Sequence, residues 1–135
     1  MSSASNYLEE ALLNHILNNV AYTSPTTVYV GLVDDTATEA DLESGDLTNE
    51  ITGYTGDRKA VSFTSPTQVS GKATVENDVE ITFEDMPATT IAFAIVTDSA
   101  TAGNILYHSA PTQIKTANAG DTYKIEVGDL TVDND

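Results

Sequence analysis

At 135 residues the chain can bury one sizeable core and is too short for two, so a single unit spanning 1–135 is expected. The absence of cysteine removes disulfides, thiolate metal sites and cysteine nucleophiles together. With 21 acids against 5 bases the formal net charge is -16, which argues against a nucleic-acid binder, because phosphates are neutralised by Lys and Arg.

The five bases are Arg58, Lys59, Lys72, Lys115 and Lys124, and beyond the first pair they form no cluster. β-branched and aromatic residues sit in orderly runs, which points to a folded domain with a carboxylate-covered surface rather than a disordered acidic chain. Such a surface repels itself in dilute buffer, whereas at ~1 M salt the screening length falls to about 3 Å. Many acids, few lysines and abundant Thr and Asp therefore predict a halophilic host, against the plainer reading of an ordinary acidic protein. No run of about 18 apolar residues exists, and Met1 to Asn6 is polar, so neither a membrane span nor a signal peptide is expected.

In chain order, the first element is a helix over about 6–18. Ser5 or Asn6 can cap it, and Leu8, Ala11, Leu12, Ile16, Leu17 and Val20 recur at three- and four-residue spacing. Glu9 and Glu10 suit the positive end of its dipole, and Asn18 and Asn19 mark its end. So short a helix must dock on something. Packing on its own sandwich is the favoured expectation, a helix offered to a partner the other, with Leu8, Leu12 and Ile16 as interface candidates.

Thr27 to Val33 reads as a strand with both faces covered. Next comes an acidic loop over about 34–56, in which only Leu42, Leu47 and Ile51 could be buried and Ala40 to Glu43 could form one helical turn; loops of that length are usually functional or insertions. Further strands are expected at Arg58 to Thr64, Lys72 to Glu76, Val79 to Glu84, Ile91 to Thr97, Ile105 to Ala110, Thr122 to Val127 and Leu130 to Val132. Ile91 to Thr97, almost continuously apolar, reads as a central strand. The fold class predicted is mainly β: an antiparallel β-sandwich of about seven to eight strands with one N-terminal α-helix.

A search for chemistry finds no catalytic constellation and no cofactor motif. His15 and His108 are the only histidines, and without Cys or HExxH spacing they are expected to make hydrogen bonds rather than hold zinc. Gly53-Tyr54-Thr55-Gly56 lacks the Lys and helix of a nucleotide loop, so its glycines read as turn residues. Asp34, Asp35, Glu39, Asp41, Glu43 and Asp46 are weak cation candidates: hard cations want six to eight oxygens, but no EF-hand pattern is present. A solvated acidic loop is the stronger expectation, and no specific metal is assigned.

Several stretches carry a resemblance. Tyr7-Leu8-Glu9, Leu12-Leu13, His15 and Leu17, then Ala21-Tyr22-Thr23-Ser24-Pro25 and Thr27-Val28-Tyr29-Val30-Gly31-Leu32, come first in order. Gly53-Tyr54 with Arg58, Ala60 and Val61 follows, then Gly103-Asn104-Ile105-Leu106-Tyr107 with Ala110, then Gly120-Asp121, Ile125 and Gly128-Asp129-Leu130-Thr131-Val132. Together they resemble small virion proteins of tailed phages often labelled tail fibre proteins. The resemblance implies a non-enzymatic virion component with a β-sandwich body and no catalytic residue to carry over. The acidic loop and surface depart from that pattern and fit a haloarchaeal tailed virus.

The leading functional expectation is a capsid-surface decoration or turret subunit, homo-oligomeric as a trimer or pentamer, whose partners are other virion proteins, the major capsid protein foremost. The alternative is a tail, tail-fibre or tail-tip subunit engaged in host adhesion, with exposed rings among Tyr22, Tyr54 and Tyr107 as anchors. A carbohydrate-active enzyme is a remote third, and would need a deep pocket with converging carboxylates.

Overall fold

A computed structural model describes residues 2–111 and 114–134. The chain runs β1 (Ser2–Ala4), α1 (Asn6–Leu17), β2 (Val28–Asp34), α2 (Glu39–Glu43), β3 (Lys59–Val61), β4 (Thr67–Val69), β5 (Lys72–Glu76), β6 (Ile81–Met86), β7 (Thr89–Thr97), β8 (Ile105–Ser109), β9 (Lys115–Ala117), β10 (Asp121–Ile125) and β11 (Thr131–Asn134). This is a mainly β, antiparallel fold of the sandwich type with one prominent N-terminal helix, as the alternating pattern predicts. Among the described residues eleven strands replace the seven or eight expected. The additions β1, β4 and β9 have three residues each, too few for a period-two pattern to stand out.

The principal sheet has the order β1-β8-β7-β2-β3, every pairing antiparallel. The nine-residue β7 is its spine: Ile91 to Thr97 pairs with β2, while the opposite edge is shared by β8 and, around Thr89 to Ile91, by β9. Against this sheet lie the smaller ladders β10-β6 and β11-β5-β4. The main core fills the space between, with Val30, Leu32, Val61, Ile91 and Val96 meeting Ile81, Phe83, Met86, Ile125, Leu130 and Val132. Tyr54 sets its ring edge-on to Phe83, centroids 5.0 Å apart.

A second cluster explains why β2 and β7 are covered on both sides. Val33 and Ile95 belong to it with Ile105, and the acidic loop supplies Ala37 and the fully buried Leu42, with Leu47 alongside. The loop thus lays an apolar underside on the sheet and leaves Asp35, Glu39 and Asp46 exposed to solvent. Thr38 and Asp41 form a capping box that starts α2, the turn foreseen at Ala40 to Glu43. Asn77, also fully buried, ties the far end together. Its amide donates to the carbonyls of Val79 (2.7 Å) and Glu126 (2.9 Å), and its carbonyl accepts from Leu130 N–H (2.9 Å).

Candidate functional site

Helix α1 begins where its sequence says it should. Ser5 has extended backbone, its hydroxyl accepts from Leu8 N–H, and Glu9 lies in the first turn. Ser5 also anchors the helix to the body, its hydroxyl donating to Ile105 C=O and its N–H to Leu106 C=O. At the other end Asn19 takes a left-handed conformation, and Val20 N–H returns to Asn14 C=O.

Between those ends the favoured expectation of docking holds only for the first turns. Of the three interface candidates, Leu8 is buried against the chain's own body, Leu12 is half-buried, and Ile16 is 72% exposed. Leu13, Leu17 and Val20 are exposed too, at 59%, 72% and 51%. The helix leaves the sandwich after its first turns, and its apolar face continues into solvent. Periodicity reports that a face is apolar, not what covers it.

The weak cation candidates do not converge. Asp34 accepts from the N–H and hydroxyl of Thr36, Asp46 does the same for Thr48, and Asp41 closes the capping box. Thr48's two hydrogen bonds hold the Asp46 carboxyl below the usual carboxylate range. Glu43 pairs with His108, Oε1 to Nε2 2.8 Å, where the ring is buried under α2. Asp35 and Glu39 are exposed. Among the described residues no three His, Cys, Asp or Glu side chains form a group able to hold a metal ion.

The tyrosines expected as adhesive anchors are not exposed: Tyr54 is buried, and Tyr22 and Tyr107 are half-buried. Burial first, then the Glu50 charge, pushes the Tyr54 hydroxyl up to about 12. Lys59 sits over that ring, 5.4 Å from its centroid.

An open groove of about 720 Å³ lies between β7, β9 and β10. Ile91, Ile125 and Leu130 lie in its floor, with Lys115, Asp121, Lys124 and Asp129 around it. The two aspartates are exposed, and Asp121 accepts from Asn118 N–H (2.8 Å), so this is not the deep pocket of buried carboxylates that the enzyme reading requires.

What sequence reasoning missed is a buried ion pair. Arg58 holds Glu50 through both oxygens (Nε to Oε2 2.6 Å, Nη2 to Oε1 2.7 Å), with side chains only 2% and 13% exposed. Its remaining nitrogen donates to the Thr97 hydroxyl and to the carbonyls of Ser99 and Ala102. Gly31 makes room for it, since a Cβ there would lie 2.8 Å from Glu50 Oε2 and 3.3 Å from the Arg58 stem. Stretches around Gly31, Arg58 and Gly103, which carry the resemblance far apart in sequence, therefore meet in one place. Their shared order was the available signal, and their role is to fix loop 98–104 to the sheet.

With this geometry in view, the whole-chain comparison is decisive. Residues 3–133 match the family model described as "Podophage GP4 fiber I protein gp80". The chain belongs to this family. The match takes in α1, the acidic loop, loop 98–104 and β11 as far as Asp133, so it is no local motif. A search of curated proteins finds no match. Membership in a phage fibre family makes the chain a structural virion component whose partners include other virion proteins, and the sequence-level resemblance to tailed-phage fibre proteins agrees with it.

Proposed function

We propose that the chain is a non-enzymatic tail-fibre subunit, built as one β-sandwich unit and present in several copies, that takes part in attaching the particle to its host. The observation that carries this reading is the fibre-family match across residues 3–133. It ranks the tail-fibre role above the capsid decoration or turret role that was the leading expectation. Multiple copies would give avidity without a deep chemical site, in keeping with a body whose internal polar groups are spent on structure. The acidic surface supports a particle working in concentrated salt, as a haloarchaeal virus would.

Particles assembled without this chain test the proposal. Capsids of normal stability and genome content that adsorb poorly to host cells are the expected result. Particles that adsorb normally but have fragile capsids would contradict it in favour of decoration.

A further inference from the structure

The exposed side of α1 invites the question of what covers it. At 100° per residue, Leu13, Ile16 and Leu17 fall within an arc of about 100°, the width of a core-facing stripe, and Val20 follows just past the helix end. On one flank that arc adjoins half-buried Leu12 and buried Leu8, so one apolar face passes without a break from the body into solvent. With Val20 these side chains expose on the order of 500 Å², a patch of the size that marks interaction sites.

The charge pattern identifies the occupant. From Ala11 to Val33 there are 23 residues without one Asp, Glu, Lys or Arg, where the chain's average would place about three or four acids. The acidity is therefore not spread evenly, and it is absent from the second half of the helix and the exposed segment that follows. A basic partner would be met by acids, because interfaces set opposite signs against each other. Two copies each at -16 have the opposite requirement: they can touch only where neither sets a carboxylate against the other. The acid-free strip satisfies that condition and offers apolar side chains for a like surface.

We infer that the C-terminal half of α1, continued by residues 18–27, is a homotypic interface whose occupant is the same strip on a second copy of this chain. The helix patch alone falls short of the ~800 Å² that each partner gives to a standard interface. Residues 18–27, uncharged and mostly exposed, extend it. This inference rests on the reading of the chain as a multi-copy fibre subunit, and names the partner and the surface.

Its test is native mass spectrometry or light scattering on the purified full chain at ~50 µM in ~1 M salt, where like-charge repulsion is screened. The expected result is a defined multiple of 14.3 kDa for the wild type. Joint substitution Ile16→Asp and Leu17→Asp should leave a monomer with unchanged circular dichroism and thermal midpoint, since both side chains are 72% exposed and outside the core. A monomeric wild type, or a double variant that still oligomerises, overturns the inference. So does a wild type that is monomeric alone and associates only with a different virion protein. A monomer in solution that is nonetheless needed for host adsorption would leave the fibre assignment standing and remove this one; an oligomer from particles indifferent to its loss would do the reverse.

Discussion

Arg58 shows how one residue can organise distant parts of this chain. Removing one partner of a buried, hydrogen-bonded ion pair strands the other charge, so Arg58→Met should lower unfolding free energy in urea by about 3–5 kcal/mol. Arg58→Lys should rescue little, because a single ammonium cannot reproduce the two-pronged grip on Glu50 together with the carbonyls of Ser99 and Ala102. Gly31→Ala should cost about 1–3 kcal/mol by crowding the pair, and less once Arg58 is already Met. Equal cost in both backgrounds would show that the glycine serves the strand rather than the pair. None of this was legible from composition. Arg58 reads as a strand residue beside a lysine, and Glu50 as one more acid in an acidic loop.

At the scale of elements, alternation, the continuous apolar run at Ile91 to Thr97 and turn signals between short segments located eight strands, and the 3.6-residue period located α1. Of the three-residue strands, β3 was caught inside the longer run Arg58 to Thr64 while β1, β4 and β9 were missed for want of length, and β1 is specified by its partner β8 and by Ser2 rather than by apolar content. The acidic loop was legible only in outline. Its burial hangs on Leu42, so Leu42→Ala should destabilise the protein by about 2–5 kcal/mol and raise hydrogen exchange across 37–47 before the strands yield.

The seam between β1 and β11 carries a pH signature. The Ser2 hydroxyl foremost, with Lys72, holds the Asp133 carboxyl below the usual carboxylate range. A lowered folded pKa stabilises above the unfolded value of about 3.9 and stops doing so as pH falls through the folded value. Asp133→Asn should therefore flatten the loss of thermal stability below about pH 4; an unchanged slope would assign that loss to other carboxylates.

For the whole molecule, the -16 charge predicts that raising salt from ~0.1 M to ~2 M increases the thermal midpoint through screening, even where oligomerisation is blocked by Ile16→Asp and Leu17→Asp. A midpoint indifferent to salt would mean that the carboxylates are too dispersed to strain the fold. The fibre assignment itself depends on position, which neither fold nor charge fixes. Electron cryo-microscopy of the intact particle tests it most directly, by locating the density that fits this sandwich and its protruding helix. The account predicts that density in the tail fibres, with α1 packed against neighbouring copies. Density on the capsid shell instead would contradict it.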